Sequence, residues 1–205
     1  MRRRIMMSKK SGSSSDLPSE YIKLNYIQST GGQYIDTEFI PDNNTSVEIQ
    51  FLFNVVGDGQ NRGVFGTRAG ATSKTYSLIA SNTAQLYTGY GTTNTSTTRR
   101  FAKDTMYVVK KEKNITIMNG ETITTANLQT FTCPYSLALF SVKNASEIPS
   151  FYSTMTLYYC KIWDGDTLVR DFIPARRISD NKIGLYELIG NIFYTNSGTG
   201  EFLGG

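Results

Sequence analysis

The chain has 205 residues, carries no histidine and has a formal net charge of +4. Without histidine, every Ser-His-Asp or Cys-His nucleophilic arrangement and every zinc site built on imidazole is excluded. A composition with 13 Tyr, 11 Phe and 18 Gly points to an all-β protein, at a length that suits one sandwich able to bury a core without staples.

The charge is concentrated at one end. Arg2, Arg3, Arg4, Lys9 and Lys10 stand against Asp16 alone, so residues 17–205 keep 16 of the 21 basic and 16 of the 17 acidic side chains. Residues 1–16 read as a basic, Ser/Gly-rich arm with no means of building a core. The arm has two readings: a solubilising tail, or an anchor whose five cations dock on an acidic partner surface or on packaged nucleic acid. A neutral domain makes nucleic acid an unexpected partner except through the arm. Ile5-Met6-Met7 is too short for the apolar region of a secretion signal, and no run of 18 apolar residues is present, so no membrane span is expected. Cys133 and Cys160 are accordingly read as reduced core or sheet residues.

Pro18 separates the arm from a domain spanning residues 17–205. Within it, Tyr21 to Ile27 alternates, Ser29-Thr30-Gly31-Gly32 turns the chain, and Gln33 to Thr37 makes a strand expected near the closing strands around Phe193 and Phe202. Val47, Ile49, Phe51, Phe53 and Val55 fall on one face of the next strand while Glu48 and Gln50 fall on the other. Val64-Phe65, Thr75 to Ile79, Ala84 to Tyr90, Met106 to Val109 and Asn114 to Met118 continue the series. Asn119-Gly120 between Ile117 and Ile123 predicts a tight hairpin, because both turn positions need φ > 0. Tyr135 to Val142 and Met155 to Trp163 suit central strands. Asp164-Gly165 turns the chain into Thr167 to Ile173, a strand that Pro174 is expected to end. Leu185 to Ile189 is the one helix-like window, a single turn at most. Ile192-Phe193-Tyr194 and Phe202-Leu203 close the chain around Asn196-Ser197-Gly198. About a dozen strands at this spacing predict an antiparallel two-sheet sandwich.

Three stretches carry a family resemblance: Leu17 to Thr37, Lys161 to Arg177, and Gly184 through Gly200. Together they resemble the concanavalin A-like, laminin G-like jelly-roll domains of phage and prophage structural proteins from gut bacteria. The resemblance implies a jelly-roll sandwich and contact with glycans or surfaces. It also implies a virion location, with capsid or tail proteins as partners and membership of a homo-oligomer or larger assembly. Host-surface or mucus glycans are the implied ligands. Such domains serve as head decoration, head fibre, tail fibre and baseplate components alike.

Catalysis is not expected. Glycan-cleaving members of the fold need paired carboxylates on one strand, and neither Glu-x-Asp-x-x-Glu nor Glu-x-Asp-x-Glu occurs. No cofactor is expected; calcium would draw on Asp58-Gly59-Gln60-Asn61 or Asp164-Gly165-Asp166, which read more simply as turns. The best local glycan site is Tyr87, Tyr90 and Asn94, where Gly89 and Gly91 expose two tyrosines beside small polar residues; the alternative is that both rings cover a sheet edge. Trp163 is read as a packing residue. Arg176-Arg177 reads as an anion contact or as a solvated pair. The expectation is thus a non-enzymatic virion accessory protein displaying a lectin-like domain for adhesion, with a free-standing carbohydrate-binding module as the alternative and a glycoside hydrolase last.

Overall fold

Strict alternation decides the central strand. In the computed structural model, which describes residues 17–144 and 148–205, Thr45–Val55 is one continuous strand. Val47, Ile49, Phe51 and Phe53 are fully buried, while Glu48 and Gln50 stay partly exposed on the opposite face.

Numbered in chain order, the strands are β1 (Tyr21–Lys23), β2 (Ile27–Gln28), β3 (Ile35–Asp36), β4 (Thr45–Val55), β5 (Arg62–Thr67), β6 (Thr75–Ala80), β7 (Gln85–Gly91), β8 (Thr93–Arg100) and β9 (Met106–Glu112). They continue with β10 (Ile115–Met118), β11 (Glu121–Thr125), β12 (Ala138–Leu139), β13 (Val142–Lys143), β14 (Pro149–Ser150) and β15 (Thr154–Asp164). The last four are β16 (Thr167–Arg177), β17 (Ile183–Glu187), β18 (Ile192–Tyr194) and β19 (Leu203–Gly204). The larger sheet runs β11-β10-β9-β4-β15-β16-β17-β18, with β1 on β16 and with β2 joining β15 to β19. The smaller sheet runs β14-β13-β5-β6-β7-β8, with β12 joining β5 to β3. Between these strands the pairings are antiparallel except for a parallel contact of β13 on β5. Facing sheets of this kind form a jelly-roll sandwich.

The core lies between the sheets. Phe51, Phe53, Phe101 and Tyr107 form a cluster of rings with centroids 5.1 to 6.0 Å apart. Their edge-to-face and tilted geometry suits the ring quadrupoles. Met155, Leu157, Cys160 and Ile162 of β15 meet them from the neighbouring strand. The step from Leu157 to Cys160 breaks the period of two because a bulge at Tyr158 lets Leu157 face Phe51 and Tyr159 face Gln50. Cys133 and Cys160 are both free and buried. Burial pushes the Cys133 thiol up to about 12 and raises that of Cys160 as well, so neither is a thiolate nucleophile at neutral pH.

Asn119 (φ 52°) and Gly120 (φ 83°) make the expected tight turn between β10 and β11. The chain ends meet as well. Gly32 and Tyr34 carbonyls accept the amides of Thr199 and Ser197, at 3.0 Å each. Phe202 packs on Phe140 at 4.9 Å between centroids.

Three local expectations give way. Pro174 does not end its strand: β16 continues to Arg177, with Pro174 opposite Leu185 of β17. The Pro174 carbonyl accepts the Leu24 amide at 3.0 Å. Its missing N–H therefore points to that same side, beyond the end of β1, and the β17 ladder is intact. Tyr135 to Val142 is not one strand, because Phe140 sits at φ 67° between β12 and β13. Leu185 to Glu187 belongs to β17 and not to a helical turn. The buried Glu187 carboxylate then accepts the amides of Asp171, Ile189 and Gly190 at 2.6 to 2.9 Å and fixes the turn that follows. Among the described residues no helix is long and apolar enough to cross a membrane.

Candidate functional site

Two outward-facing rows cross the smaller sheet. Gly63, Ile79, Tyr87 and Ser96 lie opposite one another on β5 to β8, and Gly66, Ser77, Gly89 and Asn94 form the next row. Most of these side chains are small, so Ile79, Tyr87 and Asn94 rise from a low floor. The segment around Ser141 and Val142 closes over one end of it. A Cβ added at Gly63 would come within 2.8 Å of both residues, which is why glycine is required there.

Phe151 forms one wall. Its backbone holds φ 57°, unusual for a bulky residue, and its carbonyl accepts the Gly63 amide at 2.6 Å. Strained conformations of this kind concentrate where a site must be held open. The Arg68 guanidinium lies 4.9 Å above the Phe151 ring centroid. Burial lowers the Arg68 pKa, and the group stays a cation at neutral pH.

The loop 57–61 builds the end of the groove. Gly57 (φ 72°) and Gly59 (φ 87°) let it fold back on the turn after β6. There Asn61 Oδ1 accepts the Asn82 amide at 2.9 Å, and the Gly59 amide donates to the Asn82 carbonyl at 3.1 Å. Asp58 is taken up by an ion pair with Arg62.

The result is a groove of ≈ 250 Å³ walled by Arg68, Ile79, Tyr87, Asn94 and Phe151. It adjoins a second cleft of ≈ 420 Å³ between the 57–62 loop, Gly31 and Tyr152, and the two share Asn61, Asn82 and Phe151. Among the described residues, the side-chain amides of Asn82 and Asn94, the Tyr87 hydroxyl and the Arg68 guanidinium make no hydrogen bond. Among the described residues no Asp or Glu lines either cleft. Two aromatic faces beside uncommitted amides and a cation suit a polyhydroxylated ligand, which offers flat C–H faces and hydroxyls together.

The sequence-predicted residues separate here. Tyr87 and Asn94 belong to the groove. Tyr90 does not: it lies three positions from Tyr87, so alternation turns it inward. It is 2 % exposed, stands edge-on to Phe131 at 4.9 Å, and donates its hydroxyl to the Asn43 carbonyl at 3.0 Å. Trp163 is half-buried and lies outside the core cluster. Arg177 is held by Asp180 at 2.6 Å and stacks on Phe193, so it is not a free anion contact. Asp164 and Asp166 are exposed on the turn between β15 and β16. Among the described residues no group of three His, Cys, Asp or Glu is placed to hold a metal. Arg2, Arg3, Arg4, Lys9 and Lys10 lie outside the described residues. Arg68, Asn82 and Phe151 were missed because they come from separate segments, and Asp58-Gly59-Gln60-Asn61, which builds the end of the groove, was read only as a turn or a calcium loop.

With this geometry in hand, the fold can be placed among known structures. No family model matches the chain, and no curated protein does either. A solved structure from Bacteroides ovatus, named as a candidate carbohydrate-binding protein, matches with a TM-score of 0.62 at 12% identity over 90% of this chain. The matched region covers 60% of that longer protein. The CBM40 domain of the Ruminococcus gnavus IT-sialidase, solved with α2,3-sialyllactose, gives 0.49 at 10% identity, covering 71% of this chain and 90% of that one. The heptameric SAP-like pentraxin of Limulus polyphemus gives 0.44 at 11% identity, covering 70% and 75%. The fold is a jelly-roll sandwich.

Proposed function

We propose that this chain is a carbohydrate-binding domain of lectin-like type, acting by binding and not by catalysis. The observation that carries the reading is the groove on the outer face of the smaller sheet, where Tyr87 and Phe151 stand beside the uncommitted amides of Asn82 and Asn94. Likeness of fold to the Bacteroides ovatus protein supports it. The sequence also lacks histidine, and among the described residues neither cleft is lined by a carboxylate for glycosidic cleavage, in keeping with a binding role.

The site needs no metal to bind a sugar. Ring faces supply stacking, amides supply both donors and acceptors, and a groove of this volume holds one or two sugar rings. The experiment is a glycan array followed by titration calorimetry on the best ligand. Saturable binding that Tyr87→Ala weakens tenfold or more, with the melting temperature kept, is the expected outcome. A folded protein that binds no glycan, or one whose binding ignores Tyr87 and Phe151, overturns the reading.

Display on a virion is a second, compatible reading. It rests on the three resembling stretches and on the basic charge of residues 1–16, and it adds a location to the same sugar-binding surface. In it the arm anchors the domain to capsid or tail proteins.

A further inference from the structure

We infer that the saccharide held in this groove is acidic, with Arg68 gripping its carboxylate or sulfate group. The inference rests on the carbohydrate-binding reading and adds the charge of the ligand to it.

Arg68 sits at the end of β5, where its backbone amide donates to the Lys143 carbonyl at 3.1 Å. Its side chain turns onto the groove and places the guanidinium carbon over the Phe151 ring, 4.9 Å from the centroid. A cation held over a ring face need give up none of its hydrogen bonds to the ring, so the guanidinium N–H groups are available to a ligand. Among the described residues no side chain receives them, and no carboxylate lies within ion-pair distance of Arg68. Arg62, on the same strand, shows the contrast. Its guanidinium is occupied by Asp58 and by the Tyr152 carbonyl at 3.0 Å.

Among the described residues this half-buried cation has no counter-charge, an unfavourable arrangement that a bound anion relieves. The shape fits the same conclusion. A guanidinium fork matches the two oxygens of a carboxylate or a sulfate ester bidentately. Around it stand Asn82, Asn94 and Tyr87, whose N–H and O–H groups can donate to further sugar oxygens. Among the described residues no Asp or Glu lines the groove, so none of them repels the anion. A neutral sugar would leave the guanidinium edges facing water.

The test titrates the full-length protein with oligogalacturonate, with its fully methyl-esterified form, and with a sulfated galacto-oligosaccharide beside its unsulfated parent. The same series is run on Arg68→Gln and Arg68→Lys after thermal melting has established that both are folded. The basic arm is present in every variant, so its attraction for polyanions is common to all. We expect one acidic ligand to bind at least tenfold more tightly than its neutral counterpart, and the two acidic probes to tell carboxylate from sulfate. Arg68→Gln abolishes that preference, bringing acidic and neutral forms to equal affinity, and Arg68→Lys retains part of it. Equal binding of acidic and neutral forms, or a preference that survives Arg68→Gln, overturns the acidic ligand and leaves the carbohydrate-binding reading standing. No binding of any saccharide by the folded parent overturns both.

Discussion

Lys111 Nζ lies 2.9 Å from Thr88 Oγ1 and so ties the two sheets together from inside the core. Thr88 Oγ1 is in turn 3.1 Å from Thr116 Oγ1. The rings of Tyr76 and Tyr90 flank the amine at 5.1 and 5.6 Å. Alternation along β9 places Lys111 inward with Tyr107 and Val109, and it is only 1% exposed. Burial lowers its pKa to about 7.

Stability should therefore depend on pH through this one residue. Between about 7 and the ordinary lysine value of 10.5, the folded protein holds Lys111 neutral while the unfolded chain holds it charged. The unfolded state binds more protons there, so the contribution of Lys111 to stability improves as pH rises through that window. Below about 7 the cost of burial is fully present. Lys111→Met should be more stable than the parent at pH 6, by roughly 1–4 kcal/mol. The gap should close at up to about 1.4 kcal/mol per pH unit above 7. The raised thiols of Cys133 and Cys160 work the other way above about pH 9, so the comparison between variant and parent is the informative one. Urea titrations of both proteins from pH 6 to 8.5 check it; a constant gap contradicts it.

Tyr87 and Tyr90 should respond oppositely to truncation. Tyr90→Ala opens a hole beside Phe131 and should cost about 3–5 kcal/mol. Tyr90→Phe loses only the hydroxyl bond to Asn43, about 1 kcal/mol. Tyr87→Ala should leave the melting temperature within a few degrees and act on ligand affinity. Differential scanning calorimetry beside glycan titration separates the two.

Glu187 is a structural carboxylate. Replacing it with Gln keeps the shape but leaves one of three amides without its acceptor, and a cost of about 1.5–3 kcal/mol is expected for bonds to a charged group. A shift of the urea midpoint at unchanged slope measures this; ligand affinity should not move.

Deletion of residues 1–16 removes the whole net charge and leaves 16 basic and 16 acidic side chains. The truncated domain should melt at the temperature of the full chain and bind the same saccharide. If the arm anchors the protein, it should also fail to co-purify with particles. Full occupancy after truncation removes the anchoring role.

Where a run of residues obeys one local rule, its structure was readable in advance. Val47 to Phe53 alternates without interruption, and Asn119-Gly120 demands one turn. The exceptions are places where tertiary contacts override the rule. Phe140 adopts φ 67° while packed on Phe202, a partner 62 positions away. Pro174 is tolerated because its missing donor faces the end of a three-residue strand. The groove was half legible for a similar reason. Tyr87 and Asn94 come from adjacent strands and announce themselves together. Arg68 and Phe151, 83 positions apart, meet only when the fold brings them together, and which of Tyr87 and Tyr90 faces outward depends on which face of β7 meets the core.

The placement of β1 gives the molecule a direction. Residue 17 leads into the larger sheet, where Tyr21–Lys23 lies along β16, whereas the groove opens on the outer face of the smaller sheet. A tether at residue 17 and a sugar beside Tyr87 thus sit on opposite sheets of the sandwich. If the groove is the sugar site and the chain is fixed to a support through that end, the site would face outward, and neighbouring copies would not shield one another.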